Sequence, residues 1–160
     1  MFPLIRNRRL RTNESLRGLI RETTLSPLDF LVPLFVVEGK NIKEPIASMP
    51  GYFRYSLDGI EKEVKELWNM GLRSVLLFVK VPENLKDNRG TEALNANGLM
   101  QRAIKTIKNS TPEMVVFTDV ALDPYSSFGH DGVIENGKVA NDVTSSILAQ
   151  MSVSHAFAGA

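Results

Sequence analysis

The sequence predicts an α/β fold in which a parallel sheet is covered by helices. Two observations carry this: short apolar runs at residues 31–37, 74–79 and 114–117 read as buried strands, and amphipathic stretches of helical period lie between them. Strands that alternate with helices need crossover connections, which pair the strands in parallel and cover the sheet faces. With 43% hydrophobic residues, the 160-residue chain has enough apolar material for a substantial core.

The elements follow in order. A short helix is suggested by Leu16, Leu19 and Ile20 at i, i+3 and i+4, with Asn13 or Ser15 as its cap. After the first strand, Ser56 is a suitable N-cap for a second helix that carries Ile60, Val64, Leu67 and Trp68 on one face. That helix stops at Gly71, where a left-handed residue fits. After the second strand, Leu99, Met100, Ala103, Ile104 and Ile107 form the stripe of a third helix that ends near Asn109. Beyond the third strand, Asn136-Gly137 between Val133-Ile134 and Val139 is a hairpin signal. A last helix, capped by Asn141 or Asp142, aligns Val143, Ile147, Leu148, Met151 and His155. The rhythm calls for a further strand directly after Gly159.

Composition excludes several classes. The chain carries 19 basic and 18 acidic side chains, a net charge of +1, so no global field selects nucleic acid or an anionic membrane. Arg6, Arg8, Arg9, Arg11, Arg17 and Arg21 crowd the beginning, which reads as a solvated or partner-covering arm, with a polyanion site as the alternative; the aromatics that would stack on bases are missing there. The absence of cysteine removes disulfides, thiolate nucleophiles and cysteine-bound zinc. No apolar segment is long enough to span a bilayer and no secretory signal is visible, so the expected location is cytoplasmic, or plastid after removal of a transit peptide. There is neither a phosphate-binding loop nor a GxGxxG signature.

Chemistry concentrates behind the third strand, in the run 118–132. Asp119 follows Val115 and Phe117 at period two and stands at the strand's carboxyl end, where α/β enzymes place catalytic groups; the alternative is a carboxylate that caps a neighbouring loop. Residues 123–132 are rich in turn formers, and Pro124, Gly129 and Gly132 are the expected hinges of a lid over the strand ends. Within it, Tyr125, Ser126, Ser127, His130 and Asp131 are candidate pocket or lid residues. His130 reads equally as a proton carrier or a structural histidine, and the serines as substrate or turn donors. Phe78, at the end of the second strand, reads as a pocket wall. Lys80 beside it is an imine-forming candidate if desolvated. His155, on an apolar stripe, reads as a core residue.

Arg8-Arg9-Leu10-Arg11, Pro33-Leu34-Phe35-Val36, Ser48-Met49-Pro50-Gly51, the run Lys86-Asp87-Asn88-Arg89-Gly90-Thr91-Glu92-Ala93, the run 98–104 and the run 118–132 resemble, in order and spacing, the porphobilinogen synthase (5-aminolevulinate dehydratase) family. The resemblance spans the chain. It implies a (β/α)8 TIM barrel of which the first three or so units are present: an extended N-terminal arm, residues 1–27, and the first half of the barrel, residues 28–160. It also implies condensation of two 5-aminolevulinate molecules to porphobilinogen with loss of water, in tetrapyrrole biosynthesis, and a homo-octamer in which arms embrace neighbouring barrels.

Carried over residue by residue, the resemblance gives Asp119 a supporting catalytic role near two Schiff-base lysines. It makes Lys80 a rim residue, because both lysines are expected outside this chain, which alone is therefore expected to be inactive. Zinc-dependent members have cysteines at the positions of Ala121, Asp123 and Asp131. Their replacement implies no zinc site and likens the chain to the cysteine-free branch associated with magnesium, an allosteric ion whose ligands are expected outside this segment. Phe128 departs from the histidine or aspartate often found at its place. Two competing readings are a non-catalytic half-barrel that mediates interaction or oligomerisation, and a small magnesium enzyme built on Asp119, Asp123 and Asp131.

Overall fold

In a computed structural model that describes residues 1, 4–5 and 7–160, one five-stranded sheet organises the chain. Its strands are β1 (Leu31–Val37), β2 (Lys43–Pro45), β3 (Phe53–Tyr55), β4 (Ser74–Lys80) and β5 (Val115–Thr118), in the spatial order β2-β3-β1-β4-β5. The pairs β3/β1, β1/β4 and β4/β5 are parallel, and only β2 runs antiparallel, against β3.

Period-two alternation divides the apolar residues between the sheet faces. Leu34 and Val36, Val75 and Leu77, and Val116 are buried on the face that receives helices α2 (Leu57–Asn69) and α3 (Leu99–Ser110). Ile60, Val64 and Leu67 of α2 join Met100, Ala103, Ile104 and Ile107 of α3 in this core. On the other face the register aligns Phe35 with Phe78, whose rings stack 5.3 Å apart, and Leu76 with Phe117. That face is open at β5, where Val115 and Phe117 are 51% and 49% exposed.

The helix ends show how far local signals reach. Gly71, at φ 91°, closes α2: its N–H donates to Trp68 O and the N–H of Leu72 to Leu67 O. Ser56 precedes α2, but its Oγ accepts from the N–H of Ile42 and donates to Asp58 instead of capping the helix. In the last helix, α4 (Asn141–Ala158), the expected Asn141 or Asp142 cap is not made. Both lie inside the first turn, and the Thr144 hydroxyl donates to Ala140 O from within the helix. Asn136 and Gly137, both at positive φ, turn the hairpin between β6 (Ile134–Glu135) and β7 (Lys138–Val139).

A second apolar cluster lies under the loops that leave β4 and β5, formed by Val81, Ala93, Leu122, Tyr125, Val133 and Met151 among others. These loops are therefore anchored. By contrast, the short helix α1 (Glu14–Leu19), with Asn13 accepting from the N–H of Leu16, buries none of its residues. Arg6 lies outside the described residues. No helix among the described residues is long and apolar enough to cross a membrane.

Candidate functional site

The carboxyl ends of β1, β4 and β5 surround a cavity of about 320 Å³. Phe35 and Phe78 supply its aromatic lining, Arg54, Lys80 and Lys86 its cations, and Asp119 and Asp123 its carboxylates. The position follows from topology, since parallel strands deliver all their carboxyl ends to one rim.

Asp119 lies one residue past β5, and its N–H still donates to Leu77 O at 3.2 Å, so the ladder fixes its backbone. Burial raises its carboxyl pKa, and the charge of Asp131 raises it further. Asp123 is raised in the same way, by burial first and then by a hydrogen bond and charge repulsion from Asp131. Its N–H meets Asp131 Oδ1 at 3.4 Å. Asp131 thus stands close to both carboxylates of the cavity, and the raised pKa values of Asp119 and Asp123 suit those two to proton transfer.

Lys80 stands at the rim. Its half-exposed Nζ lies 3.4 Å from Glu44 Oε1, and the same oxygen accepts from Arg54 at 2.9 Å. The lysine is thus committed to an ion pair and is not enclosed among apolar groups. Lys86 is paired with Glu83 at 2.6 Å and is better covered than Lys80.

The loop after β5 is less free than its composition suggests. Tyr125 is 2% exposed and its ring turns into the second cluster, where burial raises the phenol's pKa. Ser126 is buried and its Oγ accepts from the N–H of Phe128. Ser127, Phe128 and His130 are exposed. Gly129, at φ 65° with open space around it, suits a hinge. Gly132 does not: it is buried, and a Cβ there would stand 2.5 Å from Val139 Cγ1. It is a close-packing glycine, which corrects the hinge expected from composition.

His155 of α4 is 1% exposed, and its Nδ1 lies 3.0 Å from Thr118 Oγ1, directly before Asp119. Burial lowers its pKa and disfavours the charged form. Residue patterns did not single out Phe35, Arg54 or Lys86 for the cavity; the signal for Phe35 was its place, with Phe78, at a strand's carboxyl end. Among the described residues no three His, Cys, Asp or Glu side chains are grouped to hold a metal ion. Ala121 has no side-chain donor atom, which leaves Asp123 and Asp131 as the side chains at these three positions able to ligate.

A family model described as delta-aminolevulinic acid dehydratase matches residues 4–160. Among curated relatives, the delta-aminolevulinic acid dehydratase of Chlamydia pneumoniae is 44% identical over 155 residues, covering 97% of this chain and 47% of that protein. The protein of the same name from Bacillus subtilis is 45% identical, with 97% and 47% covered. A crystal structure of delta-aminolevulinic acid dehydratase (porphobilinogen synthase) from Toxoplasma gondii ME49, in complex with the reaction product porphobilinogen, superposes with a TM-score of 0.92. It is 41% identical and matches 98% of this chain and 45% of its own. The chain spans about half the length of these relatives.

Proposed function

This chain belongs to the delta-aminolevulinic acid dehydratase family, and we propose that it supplies one wall and the acid group of a porphobilinogen synthase site. The observation that carries the reading is Asp119: a partly buried carboxyl at the end of a parallel strand, raised in pKa, facing a cavity lined by Phe35 and Phe78. The reaction is the condensation of two 5-aminolevulinate molecules to porphobilinogen with loss of water. By the family mechanism, lysine imines of the two ketones act as electron sinks for carbon–carbon and carbon–nitrogen bond formation. Asp119 holds or moves protons at the reacting amine and carbon, Phe78 walls the pocket, and the exposed part of the loop, residues 127–131, closes over it.

Neither lysine at this cavity is suited to imine formation, because Lys80 and Lys86 are ion-paired with Glu44 and Glu83. We therefore propose that these 160 residues alone do not turn over substrate. The same reading takes the fold as the first three units of a (β/α)8 barrel, residues 1–27 as an arm that embraces a neighbouring subunit of an octamer, and magnesium as an allosteric ion bound by residues elsewhere. It places the protein in the cytoplasm or a plastid. A second reading, a non-catalytic module that recruits other barrel copies, is favoured by β5, which among the described residues pairs on one side only and carries half-exposed Val115 and Phe117.

The test is porphobilinogen formation from 5-aminolevulinate with magnesium, by this chain alone and together with the remaining part of a family barrel, each with borohydride trapping. Activity and trapping that require the second part support the synthase reading. Trapping on this chain alone overturns it and identifies a lysine here as the imine former.

A further inference from the structure

The run Lys86-Asp87-Asn88-Arg89-Gly90 carries part of the family resemblance, yet beyond Lys86 at the cavity it has no role in the chemistry above. In the structure it is the second loop of the site, and it grips the acidic loop at both ends. At the near end, the N–H of Asp87 donates to Tyr125 O at 3.2 Å, and the N–H of Ser127 donates to Asp87 O at 3.1 Å. At the far end, the Asn88 side chain makes a two-point contact with one residue: Nδ2 donates to Ile134 O and Oδ1 accepts from the N–H of Ile134, both at 2.9 Å. The carboxamide thus completes the pairing that a neighbouring strand would supply to Ile134.

The packing beneath explains why the grip holds. Gly90, at φ 60°, sits where a Cβ would stand 2.8 Å from Leu122 Cδ2 and 3.3 Å from Tyr125 Cβ, so the two loops are in contact behind the carboxylates. Asp123 and Asp131 lie between Leu122 and Ile134, and residues 127–131 between the two anchors are exposed. With the near end fixed by Asp87 and Tyr125, Asp131 is placed from the far end, where Asn88 acts together with the packing of Gly132 against Val139 and the Val133 N–H donated to Thr144 Oγ1.

We propose that Asn88 is a positioning residue: through Ile134 it holds Asp131 against Asp123 and Asp119, so that the loop after β4 sets the geometry of the acid group. This rests on the synthase reading of the site, and the experiment separates the two. Asn88→Ala and Asn88→Asp are made in the intact protein. The second keeps the size of the side chain but sets an oxygen against Ile134 O, so it breaks the pairing even if the first fails to fold.

Hydrogen exchange of residues 127–134, kcat and KM for 5-aminolevulinate, and the global Tm are measured. The expected result is exchange about tenfold faster or more in both variants. It is joined by a fall in kcat of about tenfold or more with KM within about twofold, and a Tm nearly unchanged, because a small misplacement of catalytic groups acts on turnover. Unchanged exchange in Asn88→Asp, or faster exchange with unchanged kcat, overturns the proposal. If the intact wild type forms no porphobilinogen, the synthase reading falls, and the clasp then stands or falls on the exchange of Asn88→Asp.

Discussion

The loops that follow β4 and β5 leave the same end of the sheet, touch each other, and treat their carboxylates in opposite ways. In the first, burial works against the charge of Asp87, but hydrogen bonds from Thr91, Arg89 and Gly90 outweigh it and hold the carboxyl below the usual range. The N–H of Arg89 reaches Asp87 Oδ1 at 2.8 Å and that of Thr91 at 3.2 Å. In the second, Asp119 and Asp123 face Asp131 with few donors to relieve them, and burial and repulsion push both upward. An aspartate is structural where a turn aims its N–H groups inward on the carboxylate, and chemically poised where other acids are its neighbours.

The largest expected effect breaks this comparison at its reactive side. Asp119→Ala in the intact protein is expected to lower porphobilinogen turnover by about 10²–10⁴-fold, the range for loss of a general acid or base, with little change in Tm. Steady-state kinetics beside a thermal melt is the check. A larger kinetic loss from Asp87→Ala would mean that the two roles are reversed.

Asp87→Ala is expected to act on stability instead. It removes charge-assisted hydrogen bonds in an exposed turn, so the cost is discounted for solvent to about 1 kcal/mol, read from the midpoint of urea unfolding. A null result would show that the backbone bridges to Tyr125 and Ser127 hold the turn alone.

The pH dependence sharpens the contrast because the signs differ. Asp119 and Asp123 have folded pKa values above the ordinary 3.8, so their contribution to stability is full below that value and is lost as pH rises through the folded values. Asp87 is depressed, so its contribution is present above 3.8 and is lost as pH falls through its folded pKa. Asp123→Asn is therefore expected to raise Tm at neutral pH, with the gain fading in acid as the wild-type carboxyl protonates. Asp87→Asn is expected to lower Tm at neutral pH, with the deficit fading in acid. Melts across pH would refute the scheme if both differences had the same sign.

The legible parts of the fold were those written in local patterns. The apolar runs of β1 and β4, the stripes of α2 and α3, the turn at Asn136-Gly137 and the place of Asp119 at a strand end all follow from periodicities that a few residues display. The hairpin of β2 and β3 was not legible: each strand has three residues, one ends in Pro45, and β3 gains its place from parallel pairing to β1. Arg54 reaches the cavity only through that pairing. Asn88 looks like any polar loop residue, and its partner Ile134 is 46 positions away. Gly132 misled because a glycine that permits a bend and one that permits close packing read alike until Val139 is seen against it.

The smallest expected effect concerns Lys80, which sequence makes tempting because it ends an apolar strand beside Phe78. An imine-forming lysine must lose its proton near neutral pH, which requires desolvation or a nearby cation without a compensating anion. Here the ammonium is half-exposed and shares Glu44 with Arg54. Lys80→Ala is therefore expected to leave turnover within about threefold and to cost no more than about 1 kcal/mol, the range of a surface ion pair. Borohydride with 5-aminolevulinate is expected to leave the mass of Lys80-containing peptides unchanged. A reduced adduct at Lys80 would move the nucleophile onto β4 and make Asp119, one strand away, its direct partner.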